Sequence, residues 1–340
     1  MRAAVFREIG QPLAVEEIPK PKIGPNEVLV ETRTCGICRT DLHILDGLAY
    51  IPKLPHVPGH EPAGIVAEIG ESVTRLEPGQ RVVPHLFLTC GECYYCRVGR
   101  DSLCTGVQGI LGVTLPGGFA EYFVAPASNL FTLPAKVSFE AGGLVSCAVI
   151  TAVHAFRRAR LRSGDSAVIV GGGGIGQLLV QLLKAAGVRT VVTGRSDETL
   201  ETALRLGADL AVKSRSGGAS EQIKKLAGTD GVHCAFDCVG TADTMKESSA
   251  FVMRGGQIIV IGEEAEFPAI DTIQIAQKEL EIIGSRNGSK QDAIDSLTMM
   301  EHGVIKPPIV KIFPLEEIAQ AMDFVRSGKA HGRVVIRVKS

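Results

Sequence analysis

The sequence lacks a charge excess of either sign. Lys and Arg together number 36 and Asp and Glu 37, so the formal net charge is −1. Proteins that attract nucleic acid or an anionic membrane through their overall field carry a marked basic excess. The near balance gives no electrostatic case for either partner, and we expect a small-molecule partner instead.

Long apolar runs are also missing. The most apolar stretch, residues 144–156, is shorter than the roughly 20 residues that span a bilayer. The opening MRAAVF runs directly into a strand-like pattern rather than into the apolar core of a signal peptide. These features predict a soluble, cytoplasmic protein. Its nine cysteines are then better interpreted as reduced thiols at metal-binding spacing than as disulfides.

The length of 340 residues favours two domains. Up to about residue 145, short strands alternate with Gly and Pro turns, which is typical of an irregular β-rich domain. From about residue 150, apolar strands alternate with amphipathic helices, which predicts a parallel doubly wound sheet. After about residue 285 the pattern is mixed, with a helix near 315–327 and a strand near 333–338.

We therefore predict an α/β fold with a Rossmann domain at residues 149–284. Residues 1–148 and 285–340 are predicted to form a second, discontinuous β-rich domain. The sheet edge near residues 257–261 and beyond is the expected surface for pairing with another copy of the chain.

A glycine-rich turn follows the apolar strand at residues 167–170. Gly171, Gly173 and Gly176 fit the pattern G-x-G-x-x-G, and Gly174 and Ile175 lie inside it. Glycine lets the backbone turn tightly and approach a pyrophosphate, which the following helix N-terminus stabilises. This strand–turn–helix context predicts dinucleotide binding; the alternative is a glycine-rich connector in an unrelated α/β domain.

The end of the next strand bears on cofactor choice. A site for NAD usually has Asp or Glu here to hold the ribose 2′-hydroxyl, but this strand ends in Gly194-Arg195-Ser196. Glycine leaves room for a 2′-phosphate, and Arg195 and Ser196 offer donors to it. We therefore expect NADP(H). The alternative is that Arg195 is solvated and Asp197 binds the ribose of NAD(H).

Four cysteines lie close together in the string CGECYYCRVGRDSLC. Thiolates at the spacing C-x2-C-x2-C-x7-C can surround one tetrahedral zinc. Because all four positions would be taken by protein, this site predicts a structural role. The predicted ligands are Cys90, Cys93, Cys96 and Cys104.

Three further candidates for metal binding are Cys38, His60 and Cys147. Their spacing alone does not join them, and a lone cysteine in an apolar segment is usually a packed thiol. Together with their surroundings, however, the motifs resemble one family. These motifs are GICRTDLH at 36–43, GHE at 59–61, the four-cysteine loop at 90–104 and the glycine turn at 171–176.

On these motifs the chain resembles the zinc-dependent alcohol dehydrogenases of the medium-chain dehydrogenase/reductase superfamily, over essentially its whole length. The resemblance implies a GroES-like fold for the β-rich domain and a catalytic zinc held by Cys38, His60 and Cys147. It also implies that Glu61 lies beside this metal and that Asp41 hydrogen-bonds His60. Thr40 and His43 would then form the path for the substrate proton.

The resemblance also suggests cofactor and substrate residues. Arg39 and Arg333 would neutralise the pyrophosphate, and Thr151 and Ile175 would flank the nicotinamide. The apolar side chains expected at the substrate channel are those of Ala49, Leu86, Phe87 and Ile110. The alternative is that they belong to the domain core.

The implied function is reversible oxidation of a hydrophobic alcohol to an aldehyde or ketone, with two zinc ions per chain and NADP(H), or alternatively NAD(H). A polyol dehydrogenase of the same superfamily is an alternative. Alternatives of other kinds are a zinc-free reductase and a non-catalytic nucleotide-binding scaffold. The resemblance further implies a homo-oligomer, a tetramer or a dimer.

Overall fold

The structure is a computed structural model that describes residues 1–214, 218–264 and 271–339. Its contacts divide the chain into two compact units. The first unit comprises Met1–Ile150, Gly288–Gly303 and Ile309–Ser340, and the second comprises Thr151–Asn287 and Val304–Pro308. The chain therefore leaves the first unit twice, for the long stretch Thr151–Asn287 and for the five residues Val304–Pro308, and returns to it each time.

The first unit is built mostly of strands. They are β1 (Arg2–Val5), β2 (Ala14–Glu17), β3 (Glu27–Ile37), β4 (Glu61–Ile69), β5 (Arg81–Pro84), β6 (Phe87–Leu88), β7 (Gly109–Ile110), β8 (Tyr122–Pro126), β9 (Leu130–Thr132), β16 (Ile309–Pro314) and β17 (Arg333–Arg337). Its helices are α1 (Arg39–Leu45), α2 (Tyr94–Arg97), α3 (Phe139–Gly143), α10 (Lys290–Glu301) and α11 (Ile318–Arg326).

A seven-stranded sheet organises this unit in the order β16-β17-β3-β4-β5-β9, with β8 also paired to β3. The long β3 pairs antiparallel with β4, and Gly36 lies opposite Glu61 in the register. Val28, Val30 and Val66 from these strands are fully buried in one core. This pairing brings the end of β3 and the start of β4 together, so the segments around Cys38 and His60 become neighbours.

The second unit alternates strands and helices, as the sequence predicts. Its strands are β10 (Ser166–Val170), β11 (Arg189–Gly194), β12 (Leu210–Lys213), β13 (Val232–Asp237), β14 (Val252–Val260) and β15 (Glu281–Gly284). The helices are α5 (Gly174–Ala185), α6 (Asp197–Leu206), α7 (Ala219–Ala227), α8 (Ala242–Phe251) and α9 (Thr272–Lys278). The helix α4 (Ala148–Arg158) runs across the division between the two units.

The six strands form one parallel sheet in the order β12-β11-β10-β13-β14-β15. This is the doubly wound order in which the chain reverses direction beside β10, the first strand. Both the Rossmann sheet and the β-rich companion predicted from the sequence are therefore confirmed.

Two details differ from the sequence-based expectation. Residues 257–261 do not form the sheet edge, because β14 is covered by the short strand β15. The segment Val304–Pro308 belongs with the second unit rather than the first. The side chain of Gln181 explains this grouping, because it accepts from the backbone N–H of Lys306 at 2.8 Å and donates to its carbonyl at 3.0 Å.

Within the described ranges, no single helix has both the length and the apolar character needed to cross a membrane. Only a bent pair, Phe139–Ser146 with Ala148–Arg158, reaches those limits when its two parts are counted together.

Candidate metal centres and cofactor site

Asp41 joins two of the predicted metal ligands. Its Oδ1 lies 3.2 Å from Nδ1 of His60, and its Oδ2 accepts the backbone N–H of Cys38 at 2.8 Å. Asp41 is fully buried and His60 is 2% exposed. An ionised carboxylate only accepts, so Nδ1 of His60 is the donor to Asp41, and Nε2 is the ring nitrogen that can bind a metal.

The three predicted ligands of the catalytic metal come together in the first unit. Ligand atoms of Cys38, His60, Glu61 and Cys147 all lie within 4.8 Å of one another. The Sγ atoms of Cys38 and Cys147 are 4.0 Å apart. A tetrahedron with Zn–S bonds of about 2.3 Å has edges of about 3.8 Å. The donor set and its spacing therefore fit a zinc ion.

The electrostatics of this group favour a bound cation. Hydrogen bonding from Cys147 lowers the pKa of Cys38 well below that of an ordinary thiol and raises the pKa of Cys147. Burial alone would lower the pKa of His60, but the charge and hydrogen bond of Asp41 raise it well above its usual value. A divalent cation would replace these protons and balance the buried negative charge.

Glu61 lies beside the metal group but has a second partner. Burial raises the pKa of its carboxyl to about 7, although the charge of Arg333 opposes this. Its Oε2 contacts Nη2 of Arg333, and its Oε1 is buried without a hydrogen-bond partner among the described residues. Arg333 is itself 9% exposed. Its predicted role at the pyrophosphate stays a prediction.

The four cysteines of the loop at 90–104 form a second compact group. Their Sγ atoms lie within 4.8 Å of one another, with contacts of 3.5 Å from Cys93 to Cys96, 3.9 Å from Cys93 to Cys104, and 3.5 Å from Cys104 to Cys90. These separations match the edges of a zinc tetrahedron. Hydrogen bonds led by the backbone N–H of Cys96 lower the pKa of Cys93 to about 6, as suits a thiolate ligand.

The predicted proton path lies on one face of α1. Thr40 and His43 are three residues apart, so they are neighbours on the helix surface, and both are half-buried. Oγ1 of Thr40 lies 3.6 Å from Sγ of Cys38. Arg39, the first residue of α1, is exposed. Asp41, Leu42, Ile44 and Leu45 of the same helix are buried, which holds the helix in place.

The glycine turn has the form that dinucleotide binding needs. α5 begins at Gly174 with Gly173 as its N-cap, and the backbone N–H of Gly171 donates to the carbonyl of Thr193 at 3.0 Å. A Cβ on Gly176 would lie 2.3 Å from the carbonyl oxygen of Gly171, so only glycine permits this close packing. Ile175 follows in the first turn of α5, and Thr151 in α4 is 7% exposed.

At the end of β11 the structure adds a residue that sequence reasoning missed. Gly194 is buried and lies opposite Lys213 of β12 in the parallel register, while Arg195 is exposed. Nζ of Lys213 donates to both carboxylate oxygens of Asp197, at 2.9 and 2.8 Å. Ser196 caps α6 and donates through Oγ to Glu198 at 2.5 Å. A lysine at the end of the next strand was the available sequence signal.

Three of the four predicted substrate residues lie together. Phe87 of β6 is opposite Ile110 of β7 in an antiparallel pair, and the carbonyl of the adjacent Leu86 accepts the N–H of Leu111 at 2.9 Å. Leu86 and Phe87 are each 5% exposed. Ala49 is half-buried in the loop after α1, and its place in the channel stays a prediction.

The fold and both cysteine-containing groups define a zinc-type dehydrogenase with a nucleotide-binding unit. Two family models agree with this class. The model described as "Alcohol dehydrogenase GroES-like domain" matches residues 24–135, and "Zinc-binding dehydrogenase" matches residues 174–302.

Full-length relatives extend the match. An alcohol dehydrogenase of Geobacillus stearothermophilus is 38% identical over 99% of this chain and 100% of its own. A solved NAD-dependent alcohol dehydrogenase is 31% identical with a TM-score of 0.92, covering all of both chains. A structure from Sinorhizobium meliloti, described as a zinc-binding dehydrogenase bound to NADP, is 28% identical with a TM-score of 0.89, covering 99% of each. The chain belongs to the zinc-type alcohol dehydrogenases of the medium-chain dehydrogenase/reductase superfamily.

Replacing Asp41 tests its hold on the metal ligands. We expect Asp41→Asn to weaken zinc binding at the Cys38–His60–Cys147 group about 10- to 100-fold, because His60 and the N–H of Cys38 lose a charged acceptor. Competition against a chromogenic chelator measures this affinity.

Asp46→Asn is the matched control, because Asp46 follows the same helix but pairs with Arg326 at 2.7 and 2.8 Å. The zinc affinity of Asp46→Asn should equal that of the unchanged protein. Equal zinc affinity in Asp41→Asn and the control would refute the role given to Asp41.

Proposed function

We propose that this protein reversibly oxidises a hydrophobic alcohol to an aldehyde or ketone, with catalytic zinc and NADP(H). The observation that carries the proposal is the convergence of Cys38, His60 and Cys147 within 4.8 Å, next to the buried Asp41. Three protein ligands leave a coordination position open for a substrate oxygen, as in catalytic zinc sites generally.

When bound, zinc supplies a Lewis acid for the substrate oxygen, and the nicotinamide accepts or donates the hydride. The chain's own residues orient these groups and move the proton. Asp41 keeps the proton of His60 on Nδ1 and so directs Nε2 toward the metal. Oγ1 of Thr40, beside Cys38, accepts the hydroxyl proton of the substrate as it releases its own proton to the relay. His43, one helical turn away on the same face, passes it toward solvent.

The loop at 90–104 supports a second zinc ion. Its four sulfur atoms supply every ligand of a tetrahedral site, so this ion has no open position and serves architecture. The structure describes all nine cysteines, and none of them forms a disulfide bond. We propose a cytoplasmic location on this basis, since thiols stay reduced there.

The preference for NADP(H) rests on the end of β11. Gly194 brings no carboxylate to this position, and a Cβ there would meet only Leu200, at 3.4 Å. Arg195 and Lys213 both lie next to it and offer positive charge to a 2′-phosphate. NAD(H) is the second candidate, because Asp197 and Glu198 stand in the first turn of α6 and relatives include an NAD-dependent enzyme.

The substrate is proposed to be apolar. Leu86, Phe87 and Ile110 supply apolar side chains, which favour hydrophobic alcohols over polyols, whose hydroxyls need hydrogen-bonding partners. A pocket lined by these residues would suit a primary or secondary alcohol with a hydrocarbon substituent.

Zinc stoichiometry tests the proposed metal sites. We expect two zinc ions per chain by mass spectrometry of the purified protein, and one in Cys147→Ser, which should also lose alcohol oxidation. Cys93→Ser should lose the other ion and unfold at lower temperature, because a structural site contributes to folding. One zinc in the unchanged protein would favour a zinc-free reductase or an inert scaffold.

Cofactor preference is tested by kcat/KM with NADPH and with NADH. We expect NADPH to be preferred and Arg195→Ala to lower kcat/KM for NADPH about 10- to 100-fold, the usual effect of losing a charged hydrogen bond. The kcat/KM for NADH should change little in Arg195→Ala. Arg205→Ala is the matched control, because Arg205 lies on α6 but donates to Thr202 at 2.7 Å. A preference for NADH in the unchanged protein would refute this part of the proposal.

We also propose a homo-oligomer, a tetramer or a dimer, that pairs through β15. This strand is one edge of the parallel sheet, and its Ile282 is 37% exposed. Two edges related by a two-fold axis can extend one sheet across both copies.

Light scattering after gel filtration should give two or four times the chain mass. Ile282→Lys should shift this mass toward one chain. Ile312→Lys should not, although Ile312 is equally exposed, at 38%, on the edge strand of the other sheet. A single-chain mass for the unchanged protein would contradict the proposal.

A further inference from the structure

Side chains from distant parts of the chain hold the segment from Pro84 to Phe87. It carries Leu86 and Phe87, which are proposed to line the substrate pocket, so any role of its supports in substrate selection rests on the proposed function. The hydroxyl of Ser146, the neighbour of Cys147, donates to the carbonyl of Pro84 at 2.8 Å. This bond attaches the start of the segment next to a predicted metal ligand.

Asn129 holds the other end. Its Nδ2 donates to the carbonyls of His85, at 3.1 Å, and Phe87, at 2.6 Å. Its own backbone carbonyl accepts the N–H of His85 at 2.7 Å. Asn129 is 2% exposed. One buried amide therefore binds the carbonyls of both residues that flank Leu86, which leaves this segment little freedom to move.

Lys290, together with a longer contact of 3.5 Å from Oγ of Ser128, fixes which way the amide of Asn129 points. Its Nζ donates to Oδ1 of Asn129 at 3.3 Å. A lysine ammonium has only donors, so it must face the amide oxygen. The NH2 group is thereby directed at the two carbonyls. The His85 ring lies between two carbonyls, with Nδ1 3.2 Å from the carbonyl oxygen of Phe87 and Nε2 3.0 Å from that of Gly288.

Asp101 connects this arrangement to the four-cysteine loop. It lies between Cys96 and Cys104 in the sequence, is 7% exposed, and its Oδ2 accepts the backbone N–H of Lys290 at 2.9 Å. Lys290 is the first residue of α10. The chain of contacts therefore runs from the loop through Asp101 and Lys290 to Asn129, and from there to the backbone of His85 and Phe87 on either side of Leu86.

We propose that Asn129 is a specificity-determining positioning residue, whose amide, oriented by Lys290, sets the place of Leu86 and Phe87 toward the substrate. Asp101 links the four-cysteine loop to Lys290, so the position of the loop also affects the position of Asn129. The loop then has a role in substrate selection besides stability. Room for one methylene more or less in an apolar pocket changes discrimination by about 10-fold or more, so a movement of the segment that alters this room has a measurable effect.

The test is the ratio of kcat/KM for a long-chain to that for a short-chain primary alcohol. Asn129→Asp keeps the shape but places a carboxylate oxygen against two carbonyl oxygens, so the segment must move. We expect this ratio to change about 10-fold, mainly through KM, with two zinc ions retained. Lys290→Met should change the ratio in the same direction, whereas Lys290→Arg, which keeps the donor, should preserve it.

A second measurement does not depend on activity or on folding of Asn129→Asp. Amide hydrogen exchange in peptides covering residues 84–88 should be faster in Lys290→Met than in Lys290→Arg, while peptides covering β10 stay unchanged. Asp101→Ala should change the ratio as Lys290→Met does, and combining the two should add little, because they act in one chain of contacts.

The proposal is overturned if Lys290→Met leaves both the ratio and the exchange rates as they are in Lys290→Arg. If the effects of Asp101→Ala and Lys290→Met are additive, Asp101 and the four-cysteine loop have no part in positioning Asn129. Failure of the proposed function is distinct, since the unchanged protein would then lack zinc or alcohol oxidation altogether.

Discussion

One buried carboxylate, that of Asp41, holds together the parts on which the candidate active site depends. A charge with no solvent access is tolerated only when it is paired and hydrogen-bonded, and Asp41 finds its partners in Cys38 and His60. Those partners belong to the start of α1 and the segment before β4. The antiparallel register that sets Gly36 opposite Glu61 has already brought these segments together. Backbone pairing thus supplies the proximity, and Asp41 supplies the orientation.

Glu61 and Arg333 extend the same arrangement. A Cβ on Gly36 would lie 2.1 Å from Oε2 of Glu61 and 2.5 Å from Leu144. Only glycine therefore lets the Glu61 side chain fold beneath β3 and reach Arg333. The ion pair is buried on both sides, which costs solvation of both charges. This ion pair lies next to two cysteines and a histidine. We infer that these charged residues are kept here for the charge they bring to the metal-ligand group, and not for stability alone.

Local signals explain why much of the fold could be predicted from the sequence. The bounds of α6 follow from Ser196 as N-cap and Gly207 in the left-handed region as C-cap, and both residues can be recognised from their types. Long-range features could not be predicted in this way. The edge strand β15 has only four residues after a helix, the attachment of Val304–Pro308 needs Gln181, and the clamp around Leu86 needs Asn129 and Lys290. Each depends on a partner far away in the chain, which spacing does not reveal.

The group of Cys38, His60 and Cys147 shows both what the sequence can predict and what it cannot. Spacing alone left Cys38, His60 and Cys147 separate, and only the family resemblance joined them before their distances were known. The cofactor end of β11 is harder, because charges of both signs crowd it. Asp197 already has a favourable place at the N-terminus of α6 and pairs with Lys213, but exposed ion pairs of this kind contribute only about 0–1 kcal/mol. Exchange of Asp197 for a doubly charged phosphate as the partner of Lys213 therefore costs little. An acidic residue after the second strand is thus compatible with NADP(H) when a lysine from the third strand stands beside it, and the identity of one residue does not decide the cofactor.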